Sequence, residues 1–171
     1  MHTKDYFIHL TKEELPATLA CIRAVPSEND SYTPNAKARS ARRLVAHIIG
    51  HPADLIEAIE TGAIQHRNEM EFSDYESAAT LYEADTNRLV ELVKTVDENT
   101  WDEKMIDFYV GGRKLYARTL RDISYRHHSD VLHHRGQLST YYRQMGVPNP
   151  VIYGATAETV EARRAAAEAK N

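Results

Sequence analysis

Glycine and proline are scarce in this chain, and that scarcity constrains its fold more than any other feature. Seven Gly and six Pro occur in 171 residues. They gather in short breaks between long runs of Ala, Leu, Glu and Arg, the residues that lose least on entering a helix. An all-α protein follows. Thr11-Lys12-Glu13-Glu14 has the form of a capping box and predicts a first helix from Thr11 to about Val25, before Pro26. A second helix opens at Thr33-Pro34 and continues to Thr61-Gly62 with a kink at Pro52. Ser73-Asp74-Tyr75-Glu76 predicts the start of a third, running to about Val96. A fourth spans Thr119 to Met145 and stops at Gly146-Val147-Pro148.

Residues 97–115 break the pattern. Gly111-Gly112 lies between short mixed segments, which predicts a long crossover holding a fragment of hairpin. Four long helices with one long connection make a four-helix bundle. The chain length suits one domain over 1–171, with 147–171 as a C-terminal extension packed on the bundle. Val147, Val151, Ile152 and Tyr153 are too apolar for a solvated linker.

Composition removes several function classes. Lys and Arg number 21 against 25 Asp and Glu, a net charge of −4, so no basic face for nucleic acid is expected. No apolar run approaches the roughly 18 residues that a membrane span needs. The single cysteine, Cys21, excludes an internal disulfide and reads as a small buried hydrophobe in helix one. With no leader-like start, a cytoplasmic location is expected.

Nine histidines are the unusual component. Projected at about 100° per residue, Leu120, Ile123, Val131, Leu138, Tyr141 and Met145 form one stripe of the fourth helix. His127, Asp130 and His134 share it, whereas His128 and His133 project off it. In the second helix, His47 and His51 lie within the stripe of Leu44, Ile48, Leu55 and Ile59. Four inward histidines and an inward aspartate are costly unless they satisfy one another or hold a metal. Asp130 and His134, at i and i+4, can reach one ion, and His47 on the facing helix supplies a third ligand. Two imidazoles and one carboxylate leave positions open for water or substrate, as in catalytic zinc and non-haem iron sites. As single residues, His47 reads as a satisfied core histidine, His51 as a helix-end group, His128 and His133 as partly exposed or hydrogen-bonding residues, and Arg135 and Gln137 as partners of backbone groups or neighbouring helices.

From His133-His134-Arg135-Gly136-Gln137-Leu138 through Ser139-Thr140-Tyr141-Tyr142-Arg143, with the later Val151-Ile152-Tyr153-Gly154-Ala155, the chain resembles the DinB (DNA-damage-inducible, YfiT-like) family. His47, within Leu44-Val45-Ala46-His47-Ile48-Ile49-Gly50-His51, matches that family's first ligand histidine. The resemblance implies an up-down-down-up four-helix bundle, often a homodimer, with a divalent metal on His47, His134 and the position four before it. Most members have His at that last position; this chain has Asp130. Nickel or zinc are the expected ions, with iron or manganese also suited to the donor set. The family includes bacillithiol transferases and mycothiol-dependent maleylpyruvate isomerases, so the resemblance implies an enzyme acting on a small molecule, with a water or low-molecular-weight thiol as nucleophile. His51, His127 and His133 are candidates to carry protons or orient ligands. The alternative is a non-enzymatic, stress-related metal-binding bundle whose site is closed by the Asn149–Ala155 tail.

Overall fold

The computed structural model describes residues 1–169. In chain order it contains α1 (Thr3–Arg23), α2 (Ala41–Ile48), α3 (Gly50–Thr61), β1 (Ala63–Gln65), α4 (Tyr75–Thr95), α5 (Glu98–Glu103), β2 (Met105–Val110), β3 (Arg113–Thr119), α6 (Leu120–Ser139) and α7 (Ala157–Glu168). The four long elements α1, α2–α3, α4 and α6 form the bundle.

Local chemistry moved several boundaries from their predicted places. Helix α1 starts at Thr3, not Thr11, because His2 Nδ1 accepts from the Lys4 amide and Phe7 is buried against Trp101. Thr11 is therefore a buried helix residue, and Pro16 sits inside the helix. The second helix begins at Ala41 under a Ser40 cap, because Thr33 and Asn35 bind local backbone groups and hold residues 33–40 in turns. Its kink is a break at Ile49, which ends α2 and starts α3. Pro52 lacks the amide that would bond to the Ile48 carbonyl, and its ring crowds that carbonyl. The capping box of α4 lies one residue later than predicted, between Asp74 and Ser77. The fourth helix ends at Ser139, and a 3-10 turn from Tyr142 to Met145 carries the chain to Gly146.

The crossover is built as α5 and a β2–β3 hairpin, and β1 pairs parallel to β2 to complete a small three-stranded sheet. Gly111 and Gly112, with φ of 56° and 77°, supply the two left-handed residues that the hairpin turn requires.

Cross-links fix the helix directions. The segment after β1 runs back beside α3 and α2: Arg67 pairs with Asp54, Met70 N donates to Ala46 O, and Arg42 donates to Phe72 O. That return makes α4 start at the same end as α2, so the two run in one direction. Tyr141 Oη donates to Arg39 O, which reverses α6 relative to α2. Tyr142 Oη donates to Cys21 O, and Trp101 Nε1 donates to Thr3 Oγ1, so α1 runs with α6. The topology is up-down-down-up.

Two apolar clusters fill the interior. One gathers Ile22, Leu44, Ile48, Val131, Leu138 and Tyr142, and the other gathers Phe7, Leu55, Trp101, Ile106, Leu120 and Ile123. Between Ile48 and Leu55 on one side, and between Ile123 and Val131 on the other, the chain turns polar. Beyond Gly146, Val147 and Ile152 rest on the first cluster, while Val151 and Tyr153 are exposed and α7 buries no side chain. Residues 170 and 171, the end of the predicted extension, lie outside the described residues.

Candidate metal centre

The polar layer draws on three parts of the fold. His47 comes from α2, His51 and Asp54 from α3, and His127, Asp130 and His134 from α6. The returning segment adds His66, Arg67 and the Asn68 carbonyl. Although the break at Ile49 falls between His47 and His51, both rings face Asp130 on α6.

His47, Asp130 and His134 meet as their spacing predicts. His47 Nδ1 donates to Asn68 O at 2.7 Å, and His134 Nδ1 donates to Gln137 Oε1 at 2.8 Å. Each bond fixes the tautomer, so each Nε2 carries a lone pair that points inward. Those two Nε2 atoms lie 3.4 and 3.5 Å from Asp130 Oδ2. One ligand atom from each of the three residues lies within 4.8 Å of the other two. Arg39 Nη1 stands 3.4 Å from His134 Nε2, a long contact from a half-buried side chain that can swing away.

The imidazoles of His134, His47 and His51 gathered around it, outweighing the opposing effect of burial, hold the Asp130 carboxyl far below the usual carboxylate range. His51 Nε2 is 3.2 Å from Asp130 Oδ2, off the line of a hydrogen bond, and neither ring nitrogen of His51 has a partner. Burial pushes His51 down to about 4, against the pull of Asp130, so its ring is neutral near pH 7.

Beside this trio opens a cavity of about 480 Å³ lined by His51, His66, Phe108, Tyr116, His127 and Asp130, among others. His133, predicted to lie off the core stripe, is exposed at its rim. Among the described residues, none of the tail lines it. Tyr153 instead reaches Arg135 and Glu14 on the α1 side of α6.

The expected inward aspartate needs correction. Asp130 is not buried: its side chain is 42% exposed, at the mouth of the cavity. The buried aspartate is Asp54, with no exposure, which sequence reading missed. It pairs with His66 Nδ1 at 2.6 Å and with Arg67 Nη1 at 2.8 Å. One turn before Ala58 and three residues after His51, Asp54 was legible on the inward face of α3. His66 and Asn68 carried no such signal, because only the return of the chain brings them back to α2. Gln137, expected to satisfy backbone or a neighbouring helix, instead orients the His134 ring on its own helix. Arg135 is buried and bridges to α1, as its reading as an inter-helix partner implies.

A helical bundle that aims two tautomer-fixed imidazoles and a carboxylate at one point beside a cavity has the build of a metal-binding protein. The chain belongs to the DinB family, whose model matches residues 1–165. The uncharacterized protein YjoA of Bacillus subtilis (strain 168) is 27% identical over 125 residues, covering 71% of this chain and 77% of that protein. Among solved structures, the DinB-like YjoA of B. subtilis superposes with a TM-score of 0.67 at 20% identity, covering 88% of this chain and 99% of the other. A DinB-like protein from Bacillus cereus ATCC 10987 gives 0.68 at 17% identity, covering 86% and 95%. YfiT from B. subtilis, described as a probable metal-dependent hydrolase with an unusual four-helix bundle topology, gives 0.59 at 19% identity, covering 85% and 89%. No helix among the described residues is long and apolar enough to cross a membrane.

Proposed function

We propose that this protein is a divalent-metal-dependent enzyme acting on a small molecule, with His47, Asp130 and His134 as the metal ligands. The observation that carries the reading is the pair of locked tautomers. Asn68 O and Gln137 Oε1 take the Nδ1 protons, so both Nε2 lone pairs converge on the Asp130 carboxylate, that of His134 also receiving a long contact from Arg39 Nη1 at 3.4 Å. Such a donor set fits zinc, nickel, iron or manganese. A divalent cation bound there lowers the pKa of a water or small thiol and supplies a nucleophile near neutral pH.

The chain's own residues do the rest. Asp130 stays ionised and presents its carboxylate at the cavity mouth. Phe108 and Tyr116, stacked at 4.7 Å, form an apolar wall for a substrate, and Arg126 on the same cavity can meet an anionic group. His133 at the rim can move a proton to solvent. The open cavity favours an enzyme over a closed structural site, and the placement of the tail away from it points the same way. The likeness to YfiT, described as a probable metal-dependent hydrolase, favours water over thiol as nucleophile. A homodimer, in the manner implied by the family resemblance, completes the proposal.

The test is metal analysis of the protein and of His47→Ala and His134→Ala, followed by a hydrolysis and thiol-transfer screen with the metal found. Each variant is expected to lose the ion together with any activity. Full occupancy in either variant refutes the ligand assignment.

A further inference from the structure

A second group of buried side chains has no part in the reading above. His127 Nδ1 donates to the Ile123 carbonyl at 2.9 Å, which leaves Nε2 as an acceptor. That nitrogen meets no donor and faces another acceptor, Asp54 Oδ2, at 3.7 Å. His51 is buried beside them with neither nitrogen hydrogen-bonded. All three residues are more than nine-tenths buried, and one ligand atom from each lies within 4.8 Å of the other two. Lone pairs gathered out of water repel one another unless a cation stands between them.

We propose that His51, Asp54 and His127 bind a second divalent cation of the zinc class on the wall of the same cavity. The supports of the set match those of a ligand shell. His127 is oriented through its other nitrogen, and Asp54 is oriented by the His66 ring, the Arg67 amide and the Arg67 guanidinium. Arg67 does not cancel the charge of Asp54, because the same Nη1 lies 2.6 Å from Glu57 Oε2. Arg67, Asp54 and Glu57 together keep one negative charge for the ion. Two imidazoles and a carboxylate leave a fourth position for water. His51, His66 and His127 all line the cavity, which gives the ion a route in. No ligand is shared with His47, Asp130 and His134, so this site stands or falls separately from the proposed one.

The experiment is zinc and cobalt(II) loading of the chelator-stripped full chain, with bound metal counted after dialysis and cobalt(II) read by its visible ligand-field bands. Wild type is expected to bind two ions per chain, His127→Gln one and His134→Ala one. Two ions in wild type with one lost in each variant supports both sites. One ion in wild type, lost in His134→Ala and kept in His127→Gln, overturns the second site and leaves the proposed function standing. One ion lost in His127→Gln but kept in His134→Ala supports the second site and removes the first. No ion in wild type overturns both. Should His127→Gln fail to fold by circular dichroism, His134→Ala alone decides: one retained cobalt ion with ligand-field bands supports the second site, and none overturns it.

Discussion

Replacing Arg135 with Met should loosen the bundle far more than a surface arginine would. The guanidinium is 2% exposed, and its ion pair with Glu14 Oε2 spans 2.7 Å between α6 and α1. It also donates to Thr18 Oγ1 at 3.1 Å, to the Glu14 carbonyl at 3.3 Å and to the Tyr153 hydroxyl. Removing one partner of a buried ion pair costs about 3–5 kcal/mol, chiefly because the other charge is stranded. Two features of this site reduce that. Glu14 keeps 18% exposure and can recover water, and Thr18 Oγ1 still donates to Glu14 O. Methionine also preserves most of the buried stem. The expected loss is about 3 kcal/mol, or a melting temperature lower by roughly 6–12 °C for a chain of this size. The assay is urea denaturation of the metal-free protein, combined with Glu14→Gln in a double-mutant cycle, where a coupling above about 1 kcal/mol is expected. Proteolysis between Pro148 and Tyr153 should accelerate in the same variant, because Tyr153 loses one of its two anchors and keeps only Glu14. A loss below about 1 kcal/mol, or strict additivity with Glu14→Gln, would refute the clamp.

Metal at a hundredfold excess over its dissociation constant should add about 2.7 kcal/mol of stability, visible as a calorimetric shift that His47→Ala and His134→Ala reduce. In the metal-free protein, His51 should make stability fall with acidity. Its folded pKa of about 4 lies below the ordinary histidine value of 6.5, so between those pH values only the unfolded chain takes the proton. Stability is then full above pH 6.5 and lost on the way down to pH 4, by up to roughly 3 kcal/mol, and His51→Gln should flatten that slope in pH-dependent urea melts. Gly50→Ala should destabilise by about 1–3 kcal/mol, because a Cβ there would come 2.9 Å from the Arg67 carbonyl oxygen. The same shift should weaken metal binding in titration calorimetry, since Asn68 follows directly and orients His47. Light scattering should show a dimer at micromolar concentration, and a monomer there would count against the proposed homodimer.

What the sequence revealed follows from how local each feature is. The inward stripes of α2–α3 and α6 depend only on helical period, so the core-facing positions of His47 and His134 are legible without tertiary information, whereas Asp130, on the same stripe, comes out half-exposed at the cavity mouth. Pro52 likewise announced the break at Ile49, and Gly111-Gly112 the hairpin. Helix starts were less legible, because several polar residues compete to cap them: His2 and Asp74 prevailed over Thr11 and Ser73. The strand β1 was not readable at all. Three residues, Ala63–Gln65, carry no period, and they become a strand only by pairing with β2, some forty residues later in the chain.

The return of the chain after β1 explains why the polar layer can be maintained inside a bundle. A bundle of helices alone has no spare backbone carbonyls or amides at mid-height, since helical hydrogen bonds use them. Residues 66–70 are not helical, and they run directly over α2 and α3. Their Asn68 carbonyl fixes His47, their Arg67 amide and side chain fix Asp54, and Met70 N ties the segment to Ala46 O. Gly50 is what lets the segment approach so closely, with no Cβ to push Arg67 outward. A down-down pair of helices requires such a return, whereas a tight turn between antiparallel helices would not supply one. The up-down-down-up topology and the histidine-rich layer are therefore physically linked: the long connection that lets α4 run parallel to α2–α3 also brings the groups that hold His47 and Asp54 in place.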